Sequence, residues 1–221
     1  MPNSLAQRSL AEAVGTMLLV ATVVGSGIMA TNLTKDIALQ LLCNSLATGA
    51  VLVVLITIFA PVSGAHFNPA VSLVFTLKGD LNPKTLLVYC GAQFAGGIAG
   101  TVIAHLMFGL PIFDIGGSSR SGSTLWFSEV IATFLLITTI LGTIKSRKEA
   151  VSVNVGLVII AAYWFTSSTS FANPAVTLAR GFTASFSGIA FSDVPMFVIM
   201  QVVGSLAGLA FSKFVFGSGK V

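Results

Sequence analysis

The stretch Asn68-Pro69-Ala70-Val71-Ser72-Leu73 returns later in the chain as Asn173-Pro174-Ala175-Val176-Thr177-Leu178. Each copy opens an apolar stretch, Asn68 to Leu77 and Asn173 to Phe182, and a stretch of about ten residues is half of what a helix needs to cross a bilayer. An Asn able to cap the first turn, followed by a Pro whose missing N–H costs nothing at the first helical position, marks a helix start. The two stretches are predicted to be half-helices that enter a membrane and stop inside it.

The chain around the boxes supports a membrane setting. Of 221 residues 55% are hydrophobic and 8% charged, whereas soluble domains carry about 25% charged residues. A water-soluble globule is excluded. Apolar runs at Leu10 to Ala30, Ile37 to Ala60, Leu86 to Phe108, Leu125 to Ile144, Val151 to Phe165 and Val194 to Phe216 predict six spans. They leave no room for a soluble domain. The 22 glycines suit close helix approach in a packed bundle.

The repeat extends beyond the boxes. Glu12, Thr16, Leu18, Leu19 and Thr22 align with Glu129, Thr133, Leu135, Leu136 and Thr139, and Gln93, Gly96 and Gly100 align with Gln201, Gly204 and Gly208. With three spans in each half, the second copy is inverted relative to the first. One channel-like domain, residues 1–221, is thus expected, built from inverted halves 1–115 and 116–221.

Placing the N-terminus inside puts Arg8, Lys78, Lys84, Lys145, Arg147, Lys148, Lys213 and Lys220 on the cytoplasmic side and Lys35, Arg120 and Arg180 outside. That asymmetry follows the positive-inside rule and predicts cytoplasmic termini. The basic residues form no stripe, so nucleic acid is not expected as a partner. The N-terminus reads as a retained first helix rather than a signal peptide. Cys43 and Cys90 lie in apolar runs and read as packing residues, with soft-metal or arsenic binding as the sharper alternative. Neither a nucleophile with its base nor a cluster of metal ligands accompanies the repeats, so no enzyme, cofactor or metal site is expected.

Inversion brings the half-helices in from opposite faces with their N-termini, and hence their positive dipole ends, meeting near the midplane. Irregular backbone at that depth survives only where it lines a wet cavity or is buried in protein. Pro61 to Phe67 and Ser167 to Ala172 are therefore expected to supply a file of carbonyls. Asn68 and Asn173 are expected to donate hydrogen bonds to a passing hydroxyl or water, while cations and protons are repelled.

The paired boxes, the His66-Phe67 lead-in, Glu12 and Glu129, and the Gln-x-x-Gly repeats resemble the major intrinsic protein family of aquaporins and aquaglyceroporins. The resemblance implies an all-α membrane protein with six transmembrane helices, two re-entrant half-helices and a pore in each subunit. It also implies passive passage of water or small neutral solutes and a homotetramer, here expected in a bacterial inner membrane. Midplane residues are then Asn68, Pro69, Ala70, Asn173, Pro174 and Ala175. Most members have Arg directly after the second box; this chain has Val176. The remaining filter positions fall on Thr48, Ser170 and one of Ala161, Ala162 or Tyr163, with Tyr163 favoured by anchoring on Gly156. A filter without Arg resembles the aquaglyceroporin-like channels associated with bacterial arsenic resistance.

Several residues carry two readings. Glu12 and Glu129 are either proton relays or braces that accept backbone N–H groups of the re-entrant loops. His66 either lines the inner pore or braces its loop, and His105 reads as packed or interfacial. Tyr163 and Trp164 are filter residues or part of an outer aromatic belt. Arg180 either lends charge to the outer vestibule, or snorkels to the interface or satisfies a neighbouring loop. The leading function is a channel for polyols, neutral arsenous acid and water. A strict water channel, an ion- or proton-coupled transporter and a junctional membrane protein are the alternatives.

Overall fold

The computed structural model describes residues 3–217. Lys220 lies outside them. Eight α-helices are present among the described residues, and no strand: α1 (Leu5–Leu33), α2 (Ile37–Ser63), α3 (Pro69–Leu77), α4 (Pro83–Met107), α5 (Ser123–Arg147), α6 (Val151–Phe165), α7 (Pro174–Ala179) and α8 (Val194–Phe216). Six are long and two are short, in the order expected. Helices α5 and α6 are separated only by a single 3-10 turn, Lys148–Ala150, so Ser123–Phe165 forms one apolar stretch of 43 residues. Arg147, with φ −154° and ψ 79°, breaks it into two helices.

The element ends differ from the apolar windows where polar residues finish a helix. Helix α1 starts at Leu5, ahead of its apolar run, because Ser4 accepts the Gln7 N–H while the Gln7 side chain accepts the Ser4 N–H. Helix α2 runs on through Pro61 to Ser63, so Pro61 does not open the irregular lead-in as expected. A proline in the last turn forfeits a single N–H. Gly64 then ends the helix at φ 94°, a left-handed conformation that favours glycine. Helix α7 is shorter than expected: it stops at Ala179 and tightens into a 3-10 turn, Arg180–Phe182.

The packing repeats between halves. Helix α1 packs on α4 and α5 on α8, α2 and α6 join the two halves, and each short helix touches both α4 and α8. The repeated glycines explain the close crossings: a Cβ on Gly96 would strike the Ala13 carbonyl, and one on Gly204 the Val130 carbonyl. The outer surface carries exposed Leu33, Leu87, Phe127 and Phe214, as expected where lipid is the solvent. Cys43 is exposed and Cys90 half-buried, so neither is the buried packing residue expected. His105 is fully buried, its Nδ1 2.6 Å from the Pro111 carbonyl and its Nε2 2.8 Å from Thr183 Oγ1.

Candidate functional site

Ahead of each short helix the chain adopts backbone that side-chain-bearing residues rarely occupy. Among the described residues, the non-glycine residues with positive φ are Ala65 (51°), Phe67 (50°), Thr169 (60°), Ser170 (51°) and Ala172 (47°). Counted back from the two asparagines, Ala65 matches Ser170, Phe67 matches Ala172 and Gly64 matches Thr169. Each such residue costs about 1–2 kcal/mol relative to ordinary backbone, so both lead-ins need external support.

Two buried carboxylates meet that need. Glu12 accepts the N–H of His66 at 2.9 Å, the N–H of Phe67 at 2.6 Å, the Ser63 hydroxyl at 2.6 Å and the Gln93 amide at 2.8 Å. Glu129 accepts the N–H of Phe171 and of Ala172, each at 2.9 Å, and the Gln201 amide at 2.6 Å. Gln93 also reaches Ser72 at 3.0 Å and Gln201 reaches Thr177 at 2.8 Å, which ties each lead-in to its own half-helix. All oxygens of both carboxylates are engaged.

The asparagines lock the halves together. Asn68 Oδ1 accepts the Ala70 N–H and Asn173 Oδ1 accepts those of Ala175 and Val176, capping the short helices whose first residues are Pro69 and Pro174. In turn, Asn68 Nδ2 donates to the Ala172 carbonyl and Asn173 Nδ2 to the Phe67 carbonyl, both at 2.8 Å. One N–H of each amide is thus consumed across the interface, a role not foreseen, and a second remains on each nitrogen.

A cavity of about 840 Å³, its open ends included, passes these asparagines. Ile144, Val151 and His66 line one end, and Thr48, Tyr163, Ser170, Val176 and Arg180 also line it. Val151 and Tyr163 sit near opposite ends of α6, which spans roughly 20 Å at the helical rise. Most of the wall is aliphatic. Polar side chains are the minority of the lining, and the carbonyls of Gly64, Ala65, His66, Ser170 and Phe171, residues that line the cavity, accept no hydrogen bond from any described residue.

Of the three candidates on α6, Tyr163 lines this cavity, whereas Ala161 and Ala162 do not. Its hydroxyl lies 3.3 Å from Thr48 Oγ1, and Thr48 donates to the Asn44 carbonyl at 2.8 Å. Tyr163 is therefore the donor of that pair. Trp164 faces away, its indole N–H donating to Ser45 Oγ at 3.2 Å. The Ser170 hydroxyl is buried and has no partner among the described residues. At the other end, His66 Nδ1 lies 3.0 Å from Ser72 Oγ, with the ring between Phe75 and Tyr89.

Arg180 does not snorkel outward. It is 2% exposed, its guanidinium carbon lies 3.4 Å from the centre of the Phe171 ring, and its Nε donates to the Ser187 carbonyl. Arg120, which the sequence placed only as an outer charge, approaches the same ring at 4.9 Å. It also donates to the carbonyls of Gly188 at 3.1 Å and Ser168 at 3.3 Å, and its backbone N–H bonds Asp193 at 2.6 Å. The one signal for it was a lone cation inside a Gly- and Ser-rich connection.

An inverted pair of half-helices meeting on crossed asparagines, beside a cavity with mostly aliphatic walls, defines a pore-forming membrane protein. Residues 2–168 match the family described as Major intrinsic protein. The chain is 57% identical over 211 residues to Aquaglyceroporin AqpS of Rhizobium meliloti (strain 1021), covering 96% of this chain and 91% of that protein. It is 30% identical to Aquaporin Z of Brucella melitensis biotype 1, covering 94% and 96%. The fold is also that of the aquaglyceroporin from Plasmodium falciparum, with a TM-score of 0.73 over 96% of this chain and 95% of that one at 23% identity. The chain belongs to the major intrinsic protein family, and it is a membrane channel for small neutral solutes, not an enzyme.

Proposed function

We propose that the channel passes glycerol-like polyols and neutral arsenous acid, with water as a co-permeant, and excludes cations and protons. The observation that carries this reading is Val176 in the cavity wall where a guanidinium would otherwise narrow it. A small aliphatic side chain leaves width, and the hydroxyls of Thr48, Tyr163 and Ser170 offer hydrogen bonds to a solute that has shed water. The likeness to a protein named an aquaglyceroporin supports the same reading.

In this reading Asn68 and Asn173, with Pro69, Ala70, Pro174 and Ala175, form the midplane barrier. Each amide keeps one N–H for the solute, and the converging helix dipoles repel cations. Thr48, Tyr163, Ser170 and Val176 form the outer filter. His66 lines the inner approach. Glu12 and Glu129 act as braces rather than proton relays, because both oxygens of each are engaged by backbone and amide donors. The two halves, 1–115 and 116–221, act as inverted copies. The channel assembles as a homotetramer in the bacterial inner membrane, with both termini in the cytoplasm.

Stopped-flow light scattering on proteoliposomes, comparing water, glycerol and arsenous acid, tests the proposal. Solute flux well above that of empty vesicles, insensitive to a proton gradient, is expected. Water flux without glycerol or arsenous acid flux overturns it in favour of a strict water channel, and gradient-driven uptake overturns it in favour of a transporter.

A further inference from the structure

Arg180 has a hydrogen-bonding surplus. Five N–H groups radiate from a guanidinium, and among the described residues only Nε has a partner, the Ser187 carbonyl. The four N–H groups on the terminal nitrogens meet no protein acceptor, although the residue is buried and lines the cavity. No carboxylate pairs with it either: the ion pairs among the described residues are Lys78–Asp80 and Arg147–Glu149. Glu129 has committed its oxygens to Phe171, Ala172 and Gln201. Arg120 adds a second guanidinium over the same ring, held by the carbonyls of Gly188 and Ser168.

A buried charge without a counter-ion persists only where stacking and a polar environment compensate it. Phe171 supplies the stack, and the cavity faces the remaining donors. Resting on the pore assignment above, we infer that Arg180 is the fixed charge of the outer constriction, set one helical turn beyond Val176, and that its free N–H groups form a site for a small oxyanion. A planar fork of parallel N–H groups matches two oxygens of a carboxylate or sulfonate. The missing charge is thus relocated. Withdrawn by one turn, about 5 Å along the helix, it leaves the neck beside Val176 wide.

Methanesulfonate, a small anion ionised at all working pH values, is the probe, with gluconate at equal ionic strength as the bulky control. Two measurements on the full-length protein apply: thermal unfolding in nanodiscs, and glycerol efflux from proteoliposomes. Methanesulfonate raises the wild-type unfolding midpoint by mass action and slows glycerol flux. In Arg180→Gln the half-effective concentration rises about tenfold or more, as the loss of charge-assisted hydrogen bonds requires. Arg180→Lys keeps the charge without the fork and falls between the two, which serves as the test if Arg180→Gln fails to fold. Equal midpoints in methanesulfonate and gluconate for wild type, or equal sensitivity in the variants, overturn the inference. A wild-type midpoint shift without any glycerol flux instead overturns the permeation reading and supports the anion site.

Discussion

The two re-entrant segments share a scaffold and differ in what they present. In both, a buried glutamate accepts two consecutive backbone N–H groups, a glutamine joins that glutamate to a hydroxyl on the half-helix, and the asparagine donates to the opposite half. Even the residue after each box is the same, Val71 and Val176. The largest difference in chemistry lies one residue ahead of the left-handed Phe67 and Ala172. The first segment has His66 there, bonded to Ser72; the second has Phe171, with two guanidinium groups over its ring. The shared parts hold strained backbone in place, and that task is the same on either side of a membrane. The unshared parts set the chemistry of each mouth, where the two sides have no reason to agree.

Removing the braces gives the largest expected effect. Glu12→Ala orphans four donors and Glu129→Ala three, at about 1–3 kcal/mol for each buried donor left unpaired. Neither variant is expected to yield much folded channel, and Glu12→Ala is the worse. Yields of monodisperse protein after detergent extraction check this; a milder phenotype for Glu12→Ala breaks the equivalence of the two braces. Next comes Asn173→Asp, which puts a carboxylate where two positive helix ends converge and sets oxygen against the Phe67 carbonyl. A proton leak is expected in vesicles loaded with a pH-sensitive dye. A folded Asn173→Asp that holds a pH gradient as well as wild type moves the barrier elsewhere.

A smaller effect is expected at the proposed outer filter. Val176→Arg brings in a longer side chain with five donors, filling space that a polyol needs while still serving water. The ratio of glycerol to water permeability should fall about tenfold, equivalent to about 1.4 kcal/mol in barrier height. An unchanged ratio in the folded variant takes Val176 out of the constriction. The smallest effect belongs to Phe171→His, which copies the first segment's residue into the second. Weakening the arginine stack costs about 1 kcal/mol, and the unfolding midpoint should drop by roughly 2–4 °C for a chain of this size. No drop at all means that the ring does not hold Arg180.

The spans were legible because membrane insertion is written in local composition, and α6 and α8 occupy the residues their apolar runs marked. Ends set by hydrogen bonds were less legible. The capping box at Ser4 lies outside the apolar window of α1, and Pro61 reads as a helix breaker although it sits in a last turn where little is lost. The half-helix starts were readable because Asn-Pro carries its own capping chemistry. The crossed bonds of Asn68 to Ala172 and of Asn173 to Phe67 were not, since each joins residues more than 100 positions apart.

Sequence alone determined that this chain lives in a bilayer, that it is an inverted repeat, and that two short helices break off inside it, because hydrophobic length, charge placement and the repeated boxes are properties of the chain itself. Only the tertiary structure decided that Tyr163 rather than Ala161 or Ala162 faces the cavity, that Arg180 turns inward over Phe171, and that Arg120 joins it there. Those outcomes depend on the direction in which a side chain leaves its helix and on ring faces and carbonyls contributed by distant segments, which no local pattern encodes.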